Sequence, residues 1–372
     1  MTQSNRIYSL DYLRAFVVVL VVVLHGSVAY MVGAPSWWYV IDPQNHLLFT
    51  ALVLLIDVPI MPIMFFAAGY FALPSLAKRG PSPFLSAKLV RIGIPWVLGV
   101  LLLAPPQTYI TYLSRGVPVS LAQFWRADFW GDIYQQSVYW FLGVLFFLFV
   151  AAAIVYGFGG RFRSIRQKVS MPSWTLFAAF AALMTAAFLV LNLTFPLDSW
   201  LKLGYVLVIQ PERLPLFFGY FALGVYTYRK GWFTSVGYKP ELRTWGLAFV
   251  LSGALYLGHR LTPPAPGSGL LGWVMANATL FNVFCLSSLL AGMAVFEGRA
   301  RRSSPLWNSL AANSYGIYYV HPMIMYPLAL ILMGASLSPF VKAIAVIVPA
   351  GLLSWGLSAR VLTKAPILRR MF

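Results

Sequence analysis

Three side chains capable of acid–base and electrostatic chemistry lie in the first hydrophobic stretch of the sequence: Asp11, Arg14 and His25. In a helix, residues three apart are neighbours, so Asp11 can orient Arg14. At ~100° per residue, Arg14 and His25 share one face, and at ~1.5 Å rise they lie roughly 16 Å apart along the axis. A guanidinium binds anions, and an imidazole takes a proton from a hydroxyl as a general base.

The side chains between Arg14 and His25 are all apolar. The helix therefore carries a cation near one membrane face and an imidazole about halfway through the bilayer. Ionisable groups at that depth are expensive, and they usually mark a functional site. The alternative for Arg14 is that it extends to the lipid head groups and only anchors the helix.

The elements that must position these residues follow from composition. The chain has 372 residues, of which 60% are hydrophobic and 10% charged, and this balance excludes a soluble globule. We predict an all-α, polytopic bundle of about ten transmembrane helices. The predicted spans are residues 12–33, 46–73, 92–113, 137–157, 173–195, 205–228, 244–261, 271–296, 310–333 and 339–361.

The net charge of +18 does not indicate nucleic acid, because the basic residues cluster in every second loop, as the positive-inside rule predicts. We therefore place both termini in the cytoplasm of a multi-pass protein of the cell (inner or plasma) membrane. The basic loops contain Lys78, Arg79, Lys88 and Arg91, then Arg161, Arg163, Arg166 and Lys168, then Arg229, Lys230, Lys239 and Arg243, then Arg299, Arg301 and Arg302, and finally Lys364, Arg369 and Arg370.

Cysteine usage limits the other chemistry. The single cysteine, Cys285, lies in an apolar segment, so no disulfide forms within the chain and no thiol–metal motif exists. We predict no metal site and no tightly bound cofactor.

Two more titratable residues, His321 and Asp57, fall near the middle of their predicted spans. Three such groups on separate helices at similar depth indicate a polar cavity inside the bundle. The alternative for each residue is a hydrogen bond that only holds two helices together. His321 or Asp57 is expected to orient His25 or to bind a substrate, and the sequence leaves open which of them does so.

A basic pair, Lys88 and Arg91, begins the third span with a spacing that puts both on one face. The pair either anchors the helix by the positive-inside rule or binds an anionic ligand such as a phosphate. In the preceding span, Pro59 and Pro62 interrupt the backbone ladder, and Gly69 allows close helix approach.

Two outer segments carry further signals. Pro211 suits the first turn of a helix, so the sixth helix is expected to begin there, with Glu212 and Arg213 as an ion pair at its mouth. The loop over residues 114–136 contains Trp125, Trp130 and Tyr134. These aromatic residues form either an interfacial belt or a rim on which sugar rings stack.

Four motifs follow one another along the chain. They are Asp11-Tyr12-Leu13-Arg14 with His25, Phe65-Phe66-Ala67-Ala68-Gly69-Tyr70, Tyr139-Trp140-Phe141-Leu142, and Ser314-Tyr315-Gly316-Ile317-Tyr318-Tyr319-Val320-His321-Pro322. In this order they resemble the acyltransferase-3 family of integral membrane acyltransferases. The sequence departs from the family's pattern at two positions: Ala68 stands where serine is commoner, and Lys88 stands where the family often has the first arginine of an Arg-x-x-Arg pair. Lysine lacks the planar fork of arginine.

The resemblance covers nearly the whole chain, so we expect a single integral membrane acyltransferase domain over residues 1–372. It implies transfer of an acyl group, acetyl or succinyl, from cytoplasmic acyl-CoA to a hydroxyl of an extracytoplasmic carbohydrate or glycan. This is O-acylation of the kind that modifies polysaccharides. The catalytic set is then His25, Arg14 and Asp11; Arg14, Lys88 and Arg91 bind acyl-CoA as co-substrate; and His321, Asp57 and Trp140 bind the acceptor.

The competing prediction is a multi-span transporter or flippase for a lipid-linked or small polar substrate, which also uses polar residues inside the membrane and broken helices. Such proteins often consist of two related halves, and the sequence shows no such symmetry. A purely structural membrane protein has no reason to align Arg14 with His25.

Overall fold

The computed structural model describes residues 8–159, 169–262, 264, 270–299 and 304–372. The basic residues Arg161, Arg163, Arg166, Lys168, Arg301 and Arg302 lie outside these ranges. The described chain is helical apart from one small hairpin and the connecting loops. This confirms the all-α class predicted from composition.

Eleven helical stretches follow one another along the described residues, and we number them α1 to α11. They are Tyr8–Val28 (α1), Leu47–Arg79 (α2), Pro81–Ser114 (α3), Leu121–Arg126 (α4), Trp140–Phe158 (α5), Trp174–Asn192 (α6), Leu214–Arg229 (α7), Leu242–Leu261 (α8), Leu270–Arg299 (α9), Pro305–Leu332 (α10) and Pro339–Leu357 (α11). A π-helical turn over Ser358–Leu362 extends α11.

Capping serines and prolines in the local sequence explain where several helices begin. Ser120, Ser173 and Ser338 each accept a hydrogen bond from the backbone N–H three residues on, which caps α4, α6 and α11. Prolines open α3, α10 and α11, where their missing N–H costs nothing. Gly80, with φ of 78°, separates α2 from α3.

Eight helical stretches of the described chain are long and apolar enough to cross a membrane. The other two predicted spans, the sixth and the seventh, correspond to α7, which has 16 residues, and α8, which has 20; neither is among these eight. Residues 201–209, partly included in the sixth span, instead form an antiparallel hairpin of Leu201–Leu203 (β1) and Leu207–Ile209 (β2). A 3₁₀ turn begins at Pro211 and leads into α7, which confirms the proline as a helix start.

Helix α1 lies inside the bundle, where it packs against α2, α9, α10 and α11. Helices α2 and α7 pack closely because each has a glycine where they cross, Gly69 in α2 and Gly224 in α7. A Cβ on Gly69 would lie 2.0 Å from the Phe221 carbonyl oxygen, and one on Gly224 would lie 2.1 Å from that of Phe66. Small residues therefore allow the close approach predicted for the end of the second span.

Candidate active site

The structure brings His25 of α1 and His321 of α10 into direct contact. His25 Nδ1 lies 2.8 Å from His321 Nε2, and the two rings are nearly parallel at 8° with centroids 5.1 Å apart. His321 is fully buried, whereas His25 is only partly so. The predicted proximity of the two histidines is therefore confirmed, but α1 ends at Val28, so His25 lies in its last turn and not at its middle.

A proline explains how His321 is held. Pro322 has no N–H, so the carbonyl oxygen of Tyr318, four residues earlier in α10, lacks its normal helical donor. His321 Nδ1 lies 2.8 Å from this oxygen and donates to it. The His-Pro dipeptide thus frees a backbone acceptor and supplies the imidazole that uses it.

This hydrogen bond decides which ring nitrogens carry protons. A carbonyl can only accept, so a neutral His321 has its proton on Nδ1 and a lone pair on Nε2. His25 must then donate from Nδ1 to that lone pair, which leaves His25 Nε2 as a free acceptor. We call this chain of hydrogen bonds, from His25 through His321 to the Tyr318 carbonyl, the imidazole relay. It leaves Nε2 of His25 as the basic nitrogen.

His25 lines a cavity of about 510 Å³, called here the His25 cavity. The cavity lies at the C-terminal end of α1, beneath the loops over residues 29–46 and 115–136 and the β1–β2 hairpin. Trp140, predicted to bind the acceptor, is in its wall, as is Tyr134 of the predicted aromatic rim. The other aromatic lining residues are Trp37, Trp38, Tyr39, Tyr112, Trp200 and Tyr326.

The loop over residues 29–46 holds an aromatic ring against His25. The ring centroid of Trp38 lies 5.8 Å from that of His25. Arg115 fastens this loop by donating to the carbonyl oxygens of Ser36 at 2.7 Å and Trp38 at 2.8 Å. Farther along, the Lys342 ammonium donates to both carboxylate oxygens of Asp42, at 2.9 and 2.8 Å, with both side chains fully buried.

A second cavity, of about 250 Å³, lies toward the N-terminal end of α1, and we call it the basic cavity. Arg14, Lys88 and Arg91 line it together, although α1 and α3 are far apart in sequence. Asp11 lies 3.6 Å from Arg14, as the helical spacing predicted. Three cations around one cavity form a site suited to phosphate groups.

Local irregularity in α3 shapes the basic cavity. Pro95 cannot donate to the carbonyl of Arg91, and the helix widens to a π turn over Leu89–Gly93. The hydroxyl of Tyr315 donates to the Arg91 carbonyl at 2.8 Å instead. The Arg91 guanidinium also donates to the backbone carbonyl oxygen of Phe372 at 3.1 Å.

Tyr318 separates the two cavities. Its side chain lines the basic cavity, while its hydroxyl donates to the carbonyl of Val138, a residue that lines the His25 cavity. Its own carbonyl oxygen is the one that orients His321. One residue thus contributes to the wall between the cavities and to the imidazole relay.

Asp57 lies elsewhere, and its predicted place in the substrate site is not supported. Its carboxylate is 2.6 Å from Arg213, which also contacts Asp198 at 2.8 Å; Asp198 in turn accepts from Arg260 at 2.9 Å. Asp57 lines neither the His25 cavity nor the basic cavity. A carboxylate inside a membrane is stabilised by the nearest guanidinium, and here that guanidinium belongs to α7's entry turn.

The predicted Glu212–Arg213 ion pair is also wrong, because Arg213 turns to the two aspartates. Glu212 is fully buried, and one of its oxygens accepts from the Asp198 backbone N–H at 3.2 Å. Burial raises the pKa of Glu212 to about 7, against the opposing attraction of Arg213.

Several site residues carry no recognisable signal in the sequence. Arg115 looks like one more loop arginine, and Asp42 and Lys342 are 300 residues apart. Lys342 alone could have been singled out, since a lysine within an apolar span requires a partner.

Comparison with known families gives one match. A family model of the acyltransferase-3 type, described as an acyltransferase domain, covers residues 7–359. A search among curated proteins returned no match.

Proposed function

Because the chain belongs to the acyltransferase-3 family and is therefore an acyltransferase, we propose that it transfers an acetyl or succinyl group from acyl-CoA to a carbohydrate or glycan hydroxyl. The acyl donor binds in the basic cavity and the acceptor binds in the His25 cavity. The observation that supports this assignment best is the His25–His321 pair, whose free nitrogen belongs to a residue of the acceptor cavity and whose carbonyl anchor belongs to the donor cavity wall.

The sidedness of the reaction rests on loop charge. Lys78 and Arg79 end α2 on the side of the basic cavity. By the positive-inside rule, that side of the protein faces the cytoplasm, across the inner membrane from the His25 cavity. The loops around the His25 cavity then face outward. The cytoplasm is where acyl-CoA is available, and extracytoplasmic glycans approach from the other side.

The acceptor is activated by the free nitrogen of His25. His25 Nε2 takes the hydroxyl proton as the oxygen attacks the thioester carbonyl. The C–S bond breaks, the acyl group passes to the acceptor oxygen, and the leaving thiolate takes the proton from His25. Protons and charge are balanced over the cycle, and His25 returns to its starting state.

The remaining predicted residues have positioning and binding roles. His321 keeps the proton of His25 on Nδ1, so that Nε2 is always the base. Arg14, Lys88 and Arg91 bind the phosphates of acyl-CoA, and Asp11 orients Arg14. The thioester arm reaches His25 past the Tyr318 ring, so donor entry requires this side chain to move.

Release of CoA tests the reaction directly. The full chain in proteoliposomes, supplied with acetyl-CoA or succinyl-CoA on the side of the basic cavity, should release CoA when an oligosaccharide acceptor is added on the opposite side. Movement of the acceptor without any acyl donor is the result expected of a transporter and would contradict the proposal.

A substitution in the basic cavity separates donor binding from chemistry. Arg91→Ala should raise the KM for acyl-CoA about tenfold, since a charge-assisted hydrogen bond contributes ~1.5–3 kcal/mol. The KM for the acceptor should not change. Arg126→Ala, which removes an exposed arginine at the opposite end of the bundle, is the matched control. Equal KM values for acyl-CoA in Arg91→Ala and wild type would exclude this donor site.

The single cysteine makes sidedness measurable. Cys285 is buried, so a membrane-impermeant maleimide should report only on introduced thiols. Gln44→Cys and Ser82→Cys, both at exposed positions, should be labelled from outside and inside the cell, respectively. The reverse pattern would place the donor cavity on the wrong side.

A further inference from the structure

Four polar side chains in the wall of the His25 cavity have a buried nitrogen or oxygen without a hydrogen-bond partner among the described residues. These atoms are Thr108 Oγ1, Thr111 Oγ1, Gln136 Oε1 and Trp200 Nε1. Thr108 is 2% exposed and Gln136 is 1% exposed. A buried polar atom left unpaired destabilises the folded protein, so four around one cavity require an explanation.

Other helical hydroxyls of the chain show what the two threonines lack. Ser252 and Thr279 each donate to the carbonyl four residues earlier, at 2.6 and 2.9 Å. This internal bond is the usual way to satisfy a hydroxyl in a helix. Thr108 and Thr111 make no such bond, and their spacing puts them on one face of α3. Their hydroxyl groups are therefore left without a partner among the described residues.

The amide of Gln136 is held by hydrogen bonds from its nitrogen, and its oxygen is the unpaired atom. Its amide nitrogen donates to the Tyr134 hydroxyl and to the Val206 carbonyl, both at 2.9 Å. A carbonyl can only accept, so the amide cannot exchange its nitrogen and oxygen. The neighbouring Ser137 has φ of 46° and donates to Gln107, which holds the backbone in a conformation that non-glycine residues rarely adopt.

The unpaired set combines donors and acceptors without net charge. Gln136 offers an acceptor, Trp200 offers a donor, and each threonine hydroxyl can do either. The two cations of this wall are already bound to carbonyl oxygens, Arg115 to Ser36 and Trp38, and Lys202 to Asp132. The free hydrogen-bonding capacity therefore matches a molecule with several neutral hydroxyl groups.

We propose that Thr108, Thr111, Gln136 and Trp200 bind the acceptor, and that the unit they bind is an uncharged pyranose ring. This rests on the proposed function, because it takes the His25 cavity as the acceptor site. The hydroxyls of the ring satisfy the four unpaired atoms. Its apolar face lies on the tryptophans of the wall, with Trp140 and Trp200 centroids 5.5 Å apart, and one hydroxyl remains for His25.

Binding and turnover together test this site. The full chain in nanodiscs is titrated with methyl β-glucopyranoside and, separately, with methyl β-glucuronide, and tryptophan fluorescence is recorded. The uncharged probe should bind, and the charged one should bind at least tenfold more weakly. Thr108→Val and Gln136→Leu should each weaken glucoside binding about tenfold, which corresponds to ~1.4 kcal/mol. Thr279→Val, whose hydroxyl is already satisfied within its helix, is the matched control.

The outcomes are distinct. Unchanged glucoside binding in both variants, no binding of either probe to the wild type, or tighter binding of the glucuronide overturns the proposal. A variant that does not fold, judged by its melting curve, is replaced by the other one. Glucoside binding that depends on Thr108 and Gln136 while no CoA is released would uphold this site and refute the proposed acyl transfer.

Discussion

Two polar clusters link helices of the bundle, and residue type alone does not distinguish them, yet they are built differently. In the His25–His321 pair, His25 donates to His321 and His321 donates to the Tyr318 carbonyl oxygen. Nε2 of His25, a residue that lines a cavity, is left as an acceptor. In the network of Asp57, Arg213, Asp198 and Arg260, both aspartates are paired with guanidinium groups.

The difference separates a cluster that can act on a ligand from one that only holds helices together. The opposite charges of this network are paired with one another and hold α2, α8 and the entry turn of α7 together, although Arg213 Nε has no hydrogen-bond partner among the described residues. The neutral imidazole relay holds α1 to α10 as well, but it ends in an unused lone pair facing a space large enough for a ligand. What distinguishes the imidazole pair is that its acceptor nitrogen belongs to a residue that lines a cavity, whereas no member of the ion network lines the His25 cavity or the basic cavity.

The largest effect is expected at His25. His25→Ala should lower kcat by about 10³-fold, because a general base contributes roughly 10²–10⁴. The matched controls are His46→Ala and His259→Ala, which remove histidines outside the two cavities. CoA release and membrane insertion are measured in parallel. Near-normal turnover by a well-inserted His25→Ala protein would show that His25 is not the general base.

A smaller loss is expected at His321, which acts through His25. His321→Ala should lower kcat about 10- to 100-fold with an unchanged KM for the acceptor, since it removes the partner that sets the tautomer. His321→Gln, whose amide oxygen can accept from His25, should recover part of the loss.

The double variant His25→Ala/His321→Ala sharpens this result. Residues that act as one unit are not additive, so the double variant should be no slower than His25→Ala alone. A raised KM for the acceptor in His321→Ala would instead assign His321 to substrate binding.

The ion network should respond in stability and not in chemistry. Asp57→Ala should lower the free energy of unfolding by about 1–2 kcal/mol, because it leaves the buried Arg213 with one carboxylate fewer, while the 37% exposure of Asp57 moderates the cost. Turnover of the folded protein should stay at the wild-type value. Thermal melting and CoA release are compared with those of Glu241→Ala, which removes an exposed acidic residue. A large fall in kcat in Asp57→Ala would show that the ion network takes part in catalysis as well.

The smallest effect concerns Glu212 and pH. A carboxyl group whose pKa is raised on folding binds its proton more tightly in the native state, so its contribution favours folding at low pH. Melting temperature should therefore decline as pH rises from the ordinary glutamate value of about 4.3 toward about 7. Glu212→Gln should flatten this part of the profile, and an unchanged slope would show that another group titrates.

Local patterns were sufficient for much of the architecture and part of the site. Apolar runs of membrane length predict the helices, and Pro211 predicts where α7's entry turn begins. The eleven-residue spacing placed Arg14 and His25 on one helix, and the three-residue spacing correctly predicted the contact of Asp11 with Arg14. Such features depend only on helical geometry, which is the same in every protein.

Partner choice across helices could not be predicted in the same way. His321 and Asp57 were equivalent candidates to orient His25, and only packing shows that His321 contacts His25 while Asp57 contacts Arg213. A charged or polar side chain in the membrane accepts whichever partner the folded bundle brings near, and that depends on contacts between residues hundreds of positions apart.

The sequence by itself determined a membrane bundle with a cation and an imidazole on its first helix, because periodicity and hydropathy are local properties. Only the tertiary structure decided that two cavities lie on either side of Tyr318, that a proline-freed carbonyl sets the imidazole protons, and that four polar atoms in one wall stay unpaired. Cavities and unpaired atoms are properties of how several helices fit together, so no single stretch of sequence contains them.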